Sequence, residues 1–237
     1  MKIAVISDIH GNMDALEAVL EDIKTQKAEK LFICGDLALA GPEPSRTIDF
    51  IKNLDAVAIQ GNTDEMIANN AKSTPIKAMT NALLYAEDVL TEEQKNYLKD
   101  LSPQHSETIE GISILFVHGS PRRNNEDILP NQSVEKIKEI IKDVKEDVIF
   151  CGHTHIPCGY QIDKQTVVNV GSVGRPFMED PKSCYATAEI KDGKIEIIHH
   201  LVSYNKELAA EKMRKLPFEE ADKIAEMLIS LKTRHGN

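Results

Sequence analysis

The sequence predicts an α/β protein in which a second β-sheet packs on a first, parallel one, with helices on the flanks. Three observations carry this reading. Up to about residue 151, short apolar runs of strand length alternate with segments whose apolar residues recur at helical spacing. Beyond that point strand-like segments follow one another with no helix between them. Several of the early runs end in a polar signature holding Asp, Asn or His. This places metal-capable side chains at the carboxyl ends of strands, the edge at which open α/β sheets bind their ligands.

Ile3-Ala4-Val5-Ile6 is the first buried run, and Ser7-Asp8-Ile9-His10-Gly11-Asn12 follows it. Asp14 and Glu17 have the spacing of a capping pair, and Ala15, Leu16, Ala18, Val19 and Ile23 recur at helical intervals, so a helix opens just past this loop. Leu31-Phe32-Ile33-Cys34 is the second strand and ends in Gly35-Asp36; the strand-helix-strand order makes the pair parallel. Gly41-Pro42-Glu43-Pro44 marks a loop before a helix through Ile48 and Ile51, and a third run at 56–59 gives way to Gly61-Asn62-Thr63-Asp64. Residues 67–101 hold no good strand: Ile76, Met79, Ala82, Leu83, Ala86 and Leu90 suit one helix, and Thr91-Glu92-Glu93-Gln94 starts another with a capping box. This helical insertion is expected over the site or beside it.

Residues 108–117 read as a hairpin or two strands ending at His118-Gly119-Ser120-Pro121. Ser133 opens a helix with Val134, Ile137, Ile140 and Ile141 on one face, and the run at 148–151 leads into Gly152-His153-Thr154-His155. Strands follow at 158–162, 167–170, 185–190 and 195–202, with hairpin turns at Asp163-Lys164 and Asp192-Gly193. They are expected to form the second sheet. From Lys206 the composition is charged and helix-forming, and Leu216-Pro217 divides it into two short helices. The whole reads as one domain, 1–237, with the insertion at about 67–101 and a helical tail at about 206–237.

Asp and Glu number 38 against 28 Lys and Arg, a formal charge of -10, which argues against a surface that coats nucleic acid or lies on anionic membrane. The four cysteines lack paired spacing, Cys34 and Cys151 fall inside apolar runs, and there is no amino-terminal signal or long apolar span. A cytoplasmic location without membrane or stable nucleic-acid partners is the expectation; homo-oligomerisation is left open. His105, His199, His200 and His235 read as ordinary surface or core histidines.

Collected together, the strand-end side chains are Asp8, His10, Asp36, Asn62, His118, His153 and His155. Imidazole nitrogens mixed with carboxylate and amide oxygens suit first-row divalent ions such as Mn, Fe, Co, Ni or Zn better than Ca or a structural Zn site. Seven ligands exceed what one tetrahedral ion needs. Two ions sharing a carboxylate, about 3.5–4 Å apart, would use them.

The ordered blocks Asp8-Ile9-His10, Gly35-Asp36, Gly61-Asn62, His118 and Gly152-His153-Thr154-His155 resemble the five-block pattern of the calcineurin-like metallophosphoesterases. The resemblance implies a four-layer αββα sandwich of two mixed sheets. It implies Asp8, His10 and His155 on one metal, Asn62, His118 and His153 on the other, and Asp36 bridging. The implied reaction is phosphoester hydrolysis by metal-activated hydroxide attacking phosphorus in line, with Asp36 and Asn62 at the catalytic centre, manganese among the expected ions and a small phosphoester as substrate. Gly41-Pro42-Glu43-Pro44, His118-Gly119-Ser120-Pro121-Arg122 and Asn169-Val170-Gly171-Ser172-Val173-Gly174 look like the small prokaryotic phosphodiesterase branch, and the resemblance extends over about 1–190.

Two departures matter. Thr63 stands where the family usually has a histidine serving as general acid, and the Gly-Pro loop replaces the Asp-Arg-Gly of the larger phosphatases. Both count against a phosphoprotein phosphatase or a diadenosine-tetraphosphatase. Substrate contacts are expected from Asn62, Asn12, Arg122 and Arg175, and Asp64 is expected to orient Thr63 or a water. The competing readings are a scaffold or regulatory subunit on the same fold, as in the metallophosphoesterase-like retromer subunit, and a nuclease, for which no basic track is evident.

Overall fold

The computed structural model describes residues 1–178 and 181–230. In chain order its elements are β1 (Lys2–Ile6), α1 (Met13–Gln26), β2 (Lys30–Ile33), α2 (Pro44–Lys52), β3 (Val57–Ala58), α3 (Asn62–Ala68), α4 (Lys77–Val89), α5 (Glu92–Asp100), β4 (Gln104–Ile109), β5 (Ile112–Val117), α6 (Val134–Ile141), β6 (Val148–Cys151), β7 (Cys158–Ile162), β8 (Gln165–Asn169), β9 (Ser183–Lys191), β10 (Lys194–Val202), α7 (Lys206–Arg214) and α8 (Ala221–Ile229).

They form two mixed five-stranded sheets, ordered β10-β9-β1-β2-β3 and β4-β5-β6-β8-β7. Alternation along each strand decides which residues enter which layer. Ile3, Val5 and Phe32 of the first sheet meet Ile114, Phe116, Val148 and Phe150 of the second in a core between the sheets. Phe32 and Phe116 stack there at 4.0 Å between ring centroids. Ala4, Ile6, Leu31 and Ile33 face the other way, into the core built by the helices before and after the second sheet. Leu115, Ile149 and Cys151 turn outward beneath Ile137, Ile140 and Ile141 of α6. The layers are therefore helix, sheet, sheet, helix.

Strand membership departs from the expected division. The second sheet begins with the β4-β5 hairpin, and β9 returns to pair antiparallel with β1, carrying β10 with it. The reason lies in β9 itself: Ala186, Ala188 and Ile190 enter the inter-sheet core while Tyr185 enters the helical one, so it is a strand buried on both faces. The helix α1 also starts earlier than the Asp14–Glu17 pair indicates. Asn12 is the cap, its Oδ1 accepting from the Ala15 amide at 3.2 Å, while Asp14 pairs with Lys212. The short helix α3 was not expected as a separate element, and β3 is only two residues long.

Other local expectations hold. Thr91 and Gln94 exchange both capping-box hydrogen bonds. Asp192 and Gly193 take φ of 51° and 69° at the β9-β10 turn, the left-handed pair that a tight hairpin needs. The tail forms α7 and α8, whose Ala209, Ala210, Met213, Ile224, Ala225 and Leu228 are buried in the same core as α1 and α4. The expected tail residues 231–237, His235 among them, lie outside the described residues. No helix among the described residues is long and apolar enough to cross a membrane.

Leu228 is fully buried, so Leu228→Ala is expected to cost about 2–5 kcal/mol, measured as a shift in the urea unfolding midpoint. A change under about 1 kcal/mol would mean that the tail does not share the core's cooperativity.

Candidate metal centre and adjoining cavity

The parallel strands β1, β2 and β3 of one sheet and β5 and β6 of the other send their carboxyl ends to the same edge, where the polar blocks meet. The first two loops are held together by their backbones. Asp8 N–H donates to Gly35 O at 3.0 Å, His10 N–H to Asp36 O at 2.9 Å and Gly11 N–H to Leu37 O at 2.8 Å.

The loops are also strained. Asp8, His10, Asp36, His153 and His155 have φ of 56°, 50°, 56°, 68° and 62°, the left-handed region that costs a side chain-bearing residue about 1 kcal/mol or more. Two neighbouring glycines are required by close approach. A Cβ at Gly61 would stand 2.2 Å from Asp36 Oδ1, and one at Gly152 would stand 2.4 Å from Asp8 Oδ2. Both carboxylates sit where only glycine leaves room.

Three imidazoles are oriented by backbone carbonyls. His10 Nδ1 donates to Leu39 O at 2.7 Å, His118 Nδ1 to Cys34 O at 2.6 Å and His155 Nδ1 to Arg175 O at 2.6 Å. A carbonyl only accepts, so each ring carries its proton on Nδ1 and turns Nε2 inward. His10 Nε2 and His155 Nε2 face each other at 3.0 Å, and two neutral rings in that position need a proton or a cation between them. Asp8 Oδ1 is buried without a hydrogen bond among the described residues, 3.1 Å from His155 Nε2 and 3.7 Å from His10 Nε2. Ligand atoms about 2.0–2.2 Å from one ion stand about 2.8–3.8 Å from one another at the usual coordination angles, so this trio fits a divalent transition ion.

Asp8, Asp36 and His118 form a second group, each offering a ligand atom within 4.8 Å of the others. His118 Nε2 lies 3.3 Å from Asp36 Oδ1 and 3.1 Å from Asn62 Oδ1. Asp36 Oδ2 lies 3.7 Å from His10 Nε2, so its two oxygens address the two groups. His153 borders the second group: its ring centroid is 5.2 Å from that of His118, its amide donates to Asp8 Oδ2 at 2.9 Å, and its Nε2 is 3.4 Å from Asp127 Oδ1.

Charge follows from this geometry. Burial pushes the Asp8 and Asp36 carboxyls up, but neighbouring imidazoles outweigh it, His155 for Asp8 and His118 for Asp36, and hold both well below the usual carboxylate range. Burial lowers His155 to about 4. For His118 burial also lowers, yet the adjacent Asp36 outweighs it and pushes the ring up to about 10. Without a cation His118 therefore shares a proton with Asp36, the place a metal ion would take.

The centre forms one side of a cavity of about 180 Å³, to which His10, Asp36, Asn62, Thr63, His153 and His155 contribute. Ile76, Met79, Arg175, Phe177 and Met227 complete its lining. Arg175, expected to contact substrate, is among the lining residues, with its guanidinium carbon 5.8 Å from the Phe177 ring centroid.

The other expected contacts with substrate are corrected. Asn12 is fully buried and spends its amide on capping α1 and on Gly174 O and Tyr204 Oη, at 3.0 and 3.2 Å. Arg122 does not line the cavity; Glu126, four residues on, holds its guanidinium outside, with Nε 3.0 Å from Glu126 Oε2. Asp64 does not orient Thr63. It is fully buried and accepts the amides of Asp36, Leu37 and Gly61 at 2.8, 2.9 and 2.9 Å, which ties the second block to the third. Thr63 donates its amide to Asp36 Oδ1 at 2.9 Å, and its hydroxyl oxygen is buried without a hydrogen bond among the described residues. Asp127 and Met227 carried no sequence signal: one lies in a loop without a motif, and the other reads as packing on an amphipathic helix.

Comparison with known proteins agrees with this geometry. A family model described as the calcineurin-like phosphoesterase superfamily domain matches residues 1–193. An uncharacterized protein of Methanocaldococcus jannaschii is 32% identical over 231 residues, covering 90% of this chain and 92% of that protein. The phosphodiesterase YfcE of Escherichia coli is 25% identical over 193 residues, 77% of this chain and 85% of YfcE. The crystal structure of a hypothetical protein from Pyrococcus horikoshii matches with a TM-score of 0.85 at 28% identity, covering 98% of this chain and 99% of that one. With its polar blocks gathered at one edge of two mixed sheets and the family model spanning most of its length, the chain belongs to the calcineurin-like phosphoesterase superfamily of phosphoester hydrolases.

Proposed function

We propose that the protein is a metal-dependent phosphodiesterase with a dinuclear centre. The carrying observation is the position of Asp36, whose Oδ1 addresses His118 and whose Oδ2 addresses His10. Asp8, His10 and His155 would hold one ion, Asn62, His118 and His153 the other, and Asp36 would serve both. Bound divalent ions supply a water of lowered pKa and neutralise charge on the phosphate.

The chain's own groups do the positioning. The carbonyls of Leu39, Cys34 and Arg175 fix the three Nε2 atoms before substrate arrives. Asn62 faces the cavity from the first turn of α3 and is placed to hydrogen-bond a phosphate oxygen. Arg175 is the one guanidinium or ammonium among the described cavity-lining residues, which suits the single charge of a diester better than the double charge of a monoester. Similarity to YfcE, itself named a phosphodiesterase, supports the same choice. Thr63 offers no ionisable group where the family usually has an acid, so leaving groups of low pKa are favoured. A small phosphoester fits the cavity and the acidic surface better than a nucleic-acid duplex does.

The test is hydrolysis of bis(p-nitrophenyl) phosphate and p-nitrophenyl phosphate by metal-stripped protein, with Mn, Co, Ni, Zn or Mg added back singly. A first-row transition ion is expected to restore turnover, with the diester preferred. Preference for the monoester would overturn the diesterase reading. Tight metal binding without turnover of either ester would favour the scaffold.

A further inference from the structure

Apart from Arg175, the described cavity lining outside the metal centre is an apolar wall assembled from three distant parts of the chain. Ile76 and Met79 come from the start of α4, Phe177 from the loop after β8, and Met227 from α8. Ile76 is 53% exposed, so its side chain is accessible from solvent. The Phe177 ring stacks on that of His155, with centroids 4.6 Å apart and planes 19° apart, so a flat apolar surface begins directly beside a candidate ligand. Met79 Sδ and Met227 Sδ lie 3.6 and 3.4 Å from the Arg175 guanidinium nitrogens and leave their flexible thioether chains along the wall. Apart from Arg175, none of these described lining residues carries a side-chain group able to hydrogen-bond a polar substituent strongly.

Resting on the phosphodiesterase reading, we infer that this wall is the seat of one ester arm of the substrate, and that the arm is a compact, planar, uncharged group. A charged or hydroxyl-rich arm would lose water here and find no partner, which sites of this kind reject. Size points the same way. A cavity of about 150 Å³ accepts one benzene-sized ring, and the volume here is about 180 Å³. Met227 lies beyond the family-matched residues 1–193, so part of the selectivity is contributed by the tail.

The experiment compares two diesters that share a charge and a leaving group, bis(p-nitrophenyl) phosphate and methyl p-nitrophenyl phosphate, on metal-reconstituted protein. Their ratio of kcat/KM is measured in wild type, Met79→Gln, Met227→Gln and Met79→Leu. The intrinsic difference in reactivity is common to all four proteins, so the change in ratio reports the seat. Each glutamine variant is expected to lower the ratio about tenfold, and Met79→Leu to preserve it. In parallel, calorimetry with diphenyl phosphate and dimethyl phosphate should show the aryl ester bound about tenfold more tightly by wild type and Met79→Leu, and the preference lost in the glutamine variants. Hydrolysis of both diesters with a ratio unmoved by either glutamine variant overturns the seat and leaves the phosphodiesterase reading standing. Methionine-dependent binding of diphenyl phosphate without hydrolysis of either diester supports the seat and overturns the phosphodiesterase.

Discussion

Asp36→Ala is expected to lower hydrolysis of bis(p-nitrophenyl) phosphate by about a thousandfold and to reduce the metal bound per chain. Asp36 divides its two oxygens between the groups: they stand 3.3 Å from His118 Nε2 and 3.7 Å from His10 Nε2, and the residue is 2% exposed. Asp36→Asn keeps the shape while removing the charge, so a comparable loss in both variants assigns the effect to charge rather than to a cavity. Metal analysis of the purified variants beside their initial rates is the measurement, and an Asp36→Ala protein that keeps its metal and a rate within tenfold of wild type would refute the shared-carboxylate arrangement. A pH effect accompanies it. His118 is raised from its usual 6.5 to about 10 against the opposing effect of burial, with Asp36 the main cause. In metal-free protein this pairing contributes stability that is fully present below about pH 6.5 and is lost as pH rises through about 10. In Asp36→Ala that slope should flatten.

The parts of the molecule readable in advance are those set by short-range pattern. Each apolar run that leads to a metal-capable residue is a strand or ends one, because alternating or continuous burial and the polar residue that ends it lie within a few positions of each other. What escaped is set by distance. Nothing local tells β9 to leave the hairpin rhythm around it and lie beside β1; Ala186 and Ala188 matter only because two sheets close on them. Arg122 and Arg175 look alike as loop arginines, and the difference between them is Glu126 for one and Phe177 for the other. The left-handed backbone at Asp8, His10 and Asp36 was equally hidden, since such φ values are ordinarily announced by glycine. At these residues the preference of the backbone gives way to the placement of the ligands.

Asp64→Ala is expected to destabilise the protein by about 3–6 kcal/mol although Asp64 does not line the cavity. Three buried amides, those of Asp36, Leu37 and Gly61, end on its carboxylate. Leaving each without an acceptor costs about 1–3 kcal/mol, partly relieved if water enters. Asp64→Asn separates hydrogen bonding from charge. Its single carbonyl oxygen can replace Oδ2, which takes the Asp36 and Gly61 amides, but its NH₂ then faces the Leu37 amide, donor against donor. A loss of about 1–3 kcal/mol is expected for this variant, between wild type and alanine. Because the same three amides set the positions of Asp36 and of the turn before Asn62, metal affinity should fall in the same order as stability. Urea unfolding of the metal-free proteins, with metal titration of the folded ones, measures both. If Asp64→Ala lies within about 1 kcal/mol of wild type, the second and third blocks are held together by the sheet alone, and Asp64 has no part in presenting the ligands.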